Sequence, residues 1–554
     1  MQSKTPMKLF FQFFLQTVKK NKLLYFLIYF FSLVIIGIKI TLPLFYKVIV
    51  DRVSADDGVK NFFPLILWYV LFLFVSNIIN VLWYETMNIA GVIFLRQMRN
   101  RLFEKIIHVP FEKTVELGRE RIKNILFSDV MQMFSSLTVF SVQFIANVFV
   151  LLIGIIIAFV VNIGLGFAFS AFAVIGFMLS FFSRKIIKRQ SKKVNTELKA
   201  QNAVTNSFVD SLELFKTHDL DSYITEKHSF LMERFLKTIL KADGIQVFFK
   251  NLTANINSLF TLLSICILLI FKRNSSVGDV LFLSFIAQFL ISVSAETEAY
   301  ISQIYAMLPA FENVNEILEL PEVICGNKKW NGLKSISFES VSFAYESADA
   351  ENDKLLQDLN FQFCAGDRIK VVGENGSGKT TFIKMLSGLL QPSQGKIKIN
   401  GEDFCNFDRG FLKQKILYVS QDETILNETI LDYFKAMGIH FSKEELAEKL
   451  ALWNFKMQNA ANIDDMHFTD NAKNLSGGMR KKILAIKLFE KIKEADIIIV
   501  DEICAGLDAG SEKQFYRFRE KYFSGKSDKI YFEISHNAAD NKFFTRKIEF
   551  NKRR

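Results

Sequence analysis

The sequence predicts an α-helical domain with six transmembrane spans, followed by an α/β domain of the P-loop type. Half of the 554 residues are hydrophobic, and the chain contains 59 Phe but only 7 Pro. The apolar residues are concentrated in the first half of the chain, which is typical of membrane segments. The second half contains a glycine-rich loop between an apolar strand and a helix, which is typical of α/β domains that bind phosphate. A chain of this length is expected to have two or more domains.

Six apolar runs are long enough to cross about 30 Å of hydrocarbon. Basic residues cluster after the second and fourth runs, for example Arg96, Arg99, Arg184 and Lys185, whereas the connections on the other side contain few. The positive-inside rule therefore predicts a multi-pass protein of the inner (plasma) membrane, with both termini and the α/β domain in the cytoplasm. The six predicted spans are 23–50, 62–88, 142–161, 164–182, 248–271 and 279–308.

The net charge of +11 is compatible with either nucleic acid or a membrane surface as the partner. The basic residues lie mostly in short segments beside the apolar runs, so they indicate contact with the anionic headgroups of a lipid bilayer. No nucleic-acid partner is predicted. The five cysteines have no spacing suited to zinc or to a disulfide framework. They are expected to be reduced core residues.

The composition changes near Pro321, where mixed charges and turn formers replace the apolar pattern. We predict a transmembrane domain at 1–320, a linker at 321–334 and an α/β domain at 335–554. Residues 335–345 alternate between apolar and polar side chains, as a strand does, and residues 359–363 predict a second strand. Strand and helix patterns then alternate as far as Ile534, which favours a parallel central sheet.

A phosphate loop is the most specific motif of the chain. Residues 371–381 read VVGENGSGKTT and match G-x-x-x-x-G-K-[ST] from Gly373 to Thr380. Glycines let the backbone curl closely around an anion, so that the amides and the helix N-terminus point at phosphate oxygens. The side chain of Lys379 is expected to reach the β- and γ-phosphates, and the hydroxyl of Thr380 to bind Mg²⁺. The loop predicts that the chain binds a nucleoside triphosphate.

Two further motifs follow at useful distances. Asp501 and Glu502 come directly after the apolar residues 497–500, so a buried strand would place Asp501 beside Mg²⁺ and Glu502 where a base activates water. Residues 474–478 read NLSGG and precede a basic helix, which again describes an anion cradle at a helix N-terminus. Since the chain already has one phosphate loop, this second cradle is expected to serve a partner copy.

These three motifs, in this order and spacing, resemble those of the ATP-binding-cassette (ABC) superfamily. Six spans fused to one cassette are similar to its half-size exporters. The resemblance implies that Tyr345 stacks on adenine, and that Gln421 contacts Mg²⁺ or the attacking water. It also implies that Asp508 lies in a loop between two cassettes and that His536 contacts the γ-phosphate. The sequence departs from the family at Met479, where Gln is usual.

The site residues can be grouped by role. The predicted catalytic residues are Glu502, His536 and Gln421, and the predicted metal ligands are Thr380, Gln421 and Asp501. The predicted nucleotide-binding residues are Tyr345, Gly373, Glu374, Asn375, Gly376, Ser377, Gly378, Lys379, Thr380, Thr381, Ser476, Gly477, Gly478 and Asp508.

The resemblance implies ATP-driven export by a homodimer that uses ATP and Mg²⁺. Each ATP would lie between the phosphate loop of one chain and residues 476–478 of the other. The end of the chain resembles exporters of cyclic or modified peptides, so we expect a peptide or peptide-like cargo. Alternatives are a flippase for lipid or lipid-linked oligosaccharide, a multidrug exporter, and an ATP-gated channel or sensor that pumps nothing. A soluble-type ATPase with a membrane anchor is disfavoured because one span would suffice.

Overall fold

A computed structural model gives the fold as two compact units. The first unit comprises Met1–Ile107 and Leu117–Leu320, and the second comprises His108–Glu116 and Pro321–Arg554. The structure describes residues 6–54, 63–138, 144–161, 163–271, 277–323, 326–345, 355–455, 463–469, 471–523, 528–535 and 542–551.

In its described residues, the first unit consists of helices joined by short turns. Its long helices coincide with the apolar runs, and those that contain the second and fourth predicted spans continue well beyond them, as the polar, proline-poor sequence there suggests. The elements of this unit are α1 Pro6–Lys20, α2 Lys22–Ser54, α3 Phe63–His108, α5 Arg119–Asn124, a π-helical turn Ile125–Asp129, α6 Val130–Thr138, α7 Ile145–Val161, α8 Ile163–Asp210, α9 Leu212–Thr217, α10 Asp221–Phe271 and α11 Val277–Glu319. Helix α4, Phe111–Leu117, belongs to the second unit except for its last residue.

By length and composition alone, two helices of the described part qualify as membrane spans, Lys22–Arg52 and Phe63–His108. A shorter apolar helix covers Asn147–Ile156. The helical character of the predicted membrane domain is therefore confirmed, and the count of six spans stays a prediction. Residues 62, 142 and 143, at the starts of two predicted spans, lie outside the described residues.

The amphipathic helix α1 packs its apolar face against α11. Phe10 and Phe311 are fully buried, and their ring centroids lie 5.3 Å apart in an edge-to-face arrangement. Such aromatic pairs add about 0.5–1.5 kcal/mol beyond the area they bury. The basic residues Lys19 and Lys20 lie in the last turn of α1. The N-terminal segment is thus held to the helical unit by aromatic packing.

The second unit contains two sheets. In its described residues, one sheet is antiparallel with strand order β2-β1-β4-β5, and the other has the order β6-β7-β8-β3-β9 with every pair parallel. The parallel sheet confirms the α/β prediction. The strands are β1 Ser335–Phe343, β2 Leu356–Cys364, β3 Arg368–Gly373, β4 Gln394–Ile399, β5 Glu402–Asp403, β6 Ile416–Val419, β7 Ile497–Asp501, β8 Ile530–Ile534 and β9 Arg546–Phe550.

The helices of this unit pack into two separate apolar cores. The strand β3 and helix α12 belong to one core, with Phe382 fully buried. The helix α16 belongs to the other, with Ile483 fully buried. The helices are α12 Lys379–Leu386, α13 Arg409–Lys415, α14 Ile430–Ala436, α15 Lys443–Leu452, α16 Gly477–Lys491 and α17 Ala509–Phe523.

The expectation that the cysteines are core residues is wrong for those that the structure describes. Cys266, Cys364 and Cys405 are exposed, and Cys504 is half-buried. All four are free thiols. Their positions differ from the expectation because a small residue at a strand end or helix face needs no core contact.

Candidate nucleotide-binding and catalytic site

The phosphate loop connects the end of β3 to the start of α12, as its sequence predicts. Gly376 and Gly378 have φ angles of 82° and 95°, a left-handed conformation that other residues rarely adopt. A Cβ on Gly378 would lie 2.5 Å from Leu356 Cδ2, and a Cβ on Gly373 would lie 2.3 Å from the carbonyl oxygen of Phe550. Backbone shape and packing therefore both require glycine, and the loop amides are free of side-chain bulk.

Lys379 and Ser377 are buried polar side chains of the loop. Lys379 is 7% exposed, and its Nζ donates to the carbonyl oxygens of Gly373 at 2.7 Å and of Glu374 at 2.9 Å. Among the described residues, the buried hydroxyl of Ser377 has no hydrogen-bond partner. A buried polar group without a partner is costly. An ammonium and a hydroxyl inside a glycine loop fit phosphate oxygens.

Asp501 lies at the carboxyl end of β7 and is buried. Burial, and then the charge of Glu502, raise its pKa to about 6, whereas Lys379 lowers it. The predicted metal ligands, Asp501 with the hydroxyl of Thr380 and the amide of Gln421, are all oxygen donors. Mg²⁺ prefers such donors, usually one or two carboxylates together with water and phosphate oxygens. This donor set fits Mg²⁺.

Glu502 follows Asp501 with a φ angle of 49°, which is left-handed and strained for a glutamate. Its backbone N–H donates to the carbonyl oxygen of Ile534 at 3.2 Å. The side chain lines a cavity of about 110 Å³ with Glu512, Tyr516 and Ser535. A carboxylate beside space for water has the chemistry of a general base.

The structure describes two of the three residues Tyr345, Gln421 and His536. Tyr345 is 49% exposed, and its hydroxyl lies 3.3 Å from Thr381 Oγ1, so its ring stands beside the loop helix. Gln421 is exposed in a turn after β6. His536 lies outside the described residues.

Residues 476–478 lie at the start of α16, which packs in a different apolar core from the helix that follows the phosphate loop. Ser476 caps α16, since its Oγ accepts from the backbone N–H of Met479 at 3.2 Å. Gly477 is exposed, and a Cβ there would meet nothing within 4 Å. This helix packs in one core of the second unit and α12 in the other. The two anion cradles thus belong to different parts of the unit.

Asp508 caps α17 from the loop that precedes it. Its Oδ1 accepts from the backbone N–H of Ser511 at 2.9 Å, and its Oδ2 lies 2.7 Å from Lys482 Nζ. These contacts hold the pKa of Asp508 well below its usual range. Asp508 is therefore fixed as an anion between α16 and α17.

Two family models match the chain over most of its length. The model described as ABC transporter transmembrane region matches residues 25–293, and the model described as ABC transporter matches residues 356–505. The chain belongs to the ABC transporter family. The transporter has its membrane domain and its cassette fused in one polypeptide, and its ATPase activity is coupled to transport. It is a multi-pass membrane protein of the exporter type.

Its relatives differ in their named cargo. It is 23% identical over 446 residues to the ATP-dependent lipid A-core flippase of Ralstonia nicotianae, covering 78% of this chain and 74% of that protein. It is 26% identical over 360 residues to the subtilin transport ATP-binding protein SpaT of Bacillus subtilis, covering 62% and 56%. A solved bacterial Atm1-family ABC exporter with ATP bound has a TM-score of 0.79 at 17% identity, covering 94% of this chain and 92% of that one. This likeness confirms the fold.

Three lysines of α16 make contacts that the sequence did not predict, because the sequence indicated only a basic helix. Lys481 donates to the carbonyl oxygens of Glu502 and Ala505, Lys482 pairs with Asp508, and Lys487 pairs with Glu423. Two of the three are buried. The position of these lysines on the apolar side of an amphipathic helix could have indicated ion pairs, because buried lysines are rare unless they are paired.

Proposed function

We propose that two copies of the transporter form two equivalent ATP sites between their cassettes. The observation that carries the proposal is the separation of the cradles, since the phosphate loop and the 476–478 motif belong to different cores of one cassette. The helix N-terminus is exposed and has open space around Gly477, so it is available to the γ-phosphate bound by a partner. A symmetric dimer of this kind completes both sites at once.

In each site we assign Lys379 to the β- and γ-phosphates and Tyr345 to the adenine ring. Thr380, Gln421 and Asp501 would hold Mg²⁺, which would supply positive charge to offset the negative charge of the phosphates. Glu502 would take a proton from the attacking water, and His536 would contact the γ-phosphate. Ser476, Gly477, Gly478 and Asp508 would act across the dimer interface.

The segment His108–Glu116 packs within the second unit although it comes from the first half of the chain. Glu112 Oε1 accepts from the backbone N–H of Gln391 at 3.0 Å, and Lys384 Nζ lies 5.8 Å from the ring centroid of Phe111. The backbone N–H of Val323 donates to the carbonyl oxygen of His108 at 2.9 Å. Since α12 begins in the phosphate loop, we propose that α4 responds to movement that accompanies ATP binding.

We further propose an amphipathic, peptide-like cargo that enters from the cytoplasm. The support is a set of polar groups in apolar helices, which is the usual composition of a ligand site. Asn147 Nδ2 donates to Glu296 Oε2 at 3.4 Å, and Asn251 and Asn255 are exposed on one face of α10. Acidic groups there favour neutral or cationic cargo. Gln288 and Glu298 also lie on α11, but their side chains are outside the described part.

A lipid flippase is the second candidate, because relatives such as the Ralstonia protein carry that name. The discriminating experiment measures ATPase turnover and cargo movement in proteoliposomes. We expect a cationic amphipathic peptide to stimulate turnover, and the variant Glu296→Gln/Glu298→Gln to lose most of that stimulation relative to its own cargo-free rate. The control Glu85→Gln removes an exposed glutamate of α3. Stimulation by anionic lipid alone, equal in all three proteins, would select the flippase.

A further inference from the structure

A buried ion pair joins α17 to β8 close to the proposed base. Arg519 is 1% exposed and Glu533 is 2% exposed. Arg519 NH1 donates to Glu533 Oε2 at 2.8 Å, and the hydroxyl of Tyr531 donates to the same oxygen at 2.6 Å. Nothing in the proposed ATP site uses these three residues.

Aromatic rings enclose the guanidinium. Arg519 Cζ lies 4.0 Å from the ring centroid of Phe543 and 4.8 Å from that of Tyr516. In this environment each charge depends on the other, because removing one partner of a buried pair leaves an uncompensated buried charge and is strongly destabilising. Replacing both by apolar side chains of similar volume is often neutral. The protein therefore keeps a charged link where apolar packing would serve stability equally well.

The position of the pair along β8 suggests a reason. Glu533 pairs in register with Val500 of β7, and the next residue, Ile534, with Asp501. The carbonyl oxygen of Ile534 accepts from the backbone N–H of Glu502, which has the strained φ angle of 49°. Glu533 and Glu502 also line the same small cavity. Holding Glu533 thus holds the carbonyl that restrains Glu502.

We propose that Arg519 and Glu533 are positioning residues, which fix the end of β8 and through it the backbone of Glu502 in the geometry that hydrolysis needs. The proposal rests on the proposed role of Glu502 as the base. The pair also connects the two ends of a longer path, because α17 begins at the Asp508 cap, and Asp508 pairs with Lys482 of α16. A displacement of α16 would in this way be transmitted through Asp508, α17 and the ion pair to Glu502 of the same chain.

A conservative variant separates positioning from ATP binding. Glu533→Gln keeps the shape and an acceptor oxygen but removes the charge that orients Arg519. We expect kcat to fall about 10-fold to 100-fold, since a misplacement of about 1 Å has effects of that size. The KM for ATP should stay within about twofold, because Lys379 and the loop amides are unchanged. The matched control is Glu520→Gln, an exposed residue one position from Arg519 on the same helix.

A triple variant separates positioning from stability. Arg519→Met/Tyr531→Phe/Glu533→Leu replaces the pair and its hydroxyl partner by apolar groups. We expect the triple variant to have a melting temperature close to that of the wild type, whereas its kcat stays low. A kcat that recovers with the melting temperature would overturn the proposal, as would wild-type kcat in Glu533→Gln. If the triple variant does not fold, the kcat of Glu533→Gln, measured below the melting temperature of that variant, tests the proposal alone.

Failure of the proposed base is detected separately. Glu502→Gln should bind ATP and not turn it over, because an amide accepts no proton from water. Wild-type turnover in Glu502→Gln would reject the base assignment, whatever the ion-pair variants do. Low turnover in Glu502→Gln together with wild-type kcat in Glu533→Gln would reject only the positioning role.

Discussion

Asp501 carries a charge that the protein buries at a cost to stability. Its pKa in the folded chain is about 6, against about 3.9 in an unfolded chain. Between these values the folded state holds more protons than the unfolded state, so the free energy of unfolding falls as the pH rises. Above about pH 6 both states are deprotonated, and the destabilisation is complete. A cation bound near Asp501 would reduce this destabilisation. Binding of a metal ion with its nucleotide is therefore expected to stabilise the cassette.

We therefore predict that Asp501→Asn stabilises the ligand-free cassette at pH 7 by about 1–3 kcal/mol. The variant should also lose the decrease in stability between about pH 4 and pH 6. Thermal unfolding of the full-length protein across this pH range measures both effects. The control Asp528→Asn changes an exposed aspartate and should leave the pH profile unaltered. An Asp501→Asn profile that still falls over this range would contradict the assignment of the effect to this carboxyl.

The phosphate-loop positions could be predicted from sequence, whereas several contacts around them could not. A loop that must curl around an anion restricts the residue type at each position, so Gly373, Gly378 and Lys379 follow from local rules. The strain at Glu502 depends on β8, which lies about 30 residues further along the chain. Contacts between segments so far apart leave no periodic signal. His536 lies outside the described residues, so its role stays a prediction.

Helix α16 shows the same limit at the scale of an element. Its sequence predicts an anion cradle followed by a basic helix, and the structure shows that Lys482 and Lys487 are buried in ion pairs. Lys487 pairs with Glu423, which follows Gln421 by two residues. The helix therefore supports both the loop of Asp508 and the turn of Gln421. The strands β1 and β2 were predicted, but their antiparallel pairing and the strand β9 were not, since pairing between strands and short strands have weak local patterns.

Removal of the Lys487 charge should destabilise the cassette. Glu423 is 21% exposed, and its second carboxylate oxygen is buried without a hydrogen-bond partner among the described residues. Lys487→Met leaves this carboxylate uncompensated, at a cost of about 1–3 kcal/mol. The double variant Lys487→Met/Glu423→Leu should recover most of the loss. Thermal unfolding measures both, with the exposed Lys493→Met as control, where a change below about 0.5 kcal/mol is expected.

At the scale of the whole molecule, fold class and family follow from the sequence, because they depend on long apolar runs and on motifs in a fixed order. Cargo does not follow, because it depends on which polar side chains face one cavity. The named relatives include a lipid A-core flippase and a subtilin transporter, so one architecture accompanies cargo of very different chemistry. Function at that level resides in the site and not in the fold.

The shared ATP sites make a prediction that separates them from sites within one chain. Lys379→Ala removes the phosphate partner of one half-site, and Ser476→Arg places a bulky side chain in the other half. When each change is on a different chain of a purified heterodimer, shared sites leave one composite site free of both changes, and ATPase activity is retained in part. When both changes are on one chain and the partner is wild type, shared sites leave each site with one lesion, and activity is lost.

Sites built within single chains require the opposite result. Each chain of the first heterodimer would then carry a lesion in its own site and be inactive, whereas the wild-type chain of the second would remain active. Both heterodimers contain the same substitutions in the same number, so differences in expression or stability affect them alike. Two affinity tags in sequence isolate each heterodimer, and ATPase turnover per bound nucleotide decides between the two arrangements. Because Ser476 is exposed at the start of α16, we expect the arrangement with shared sites.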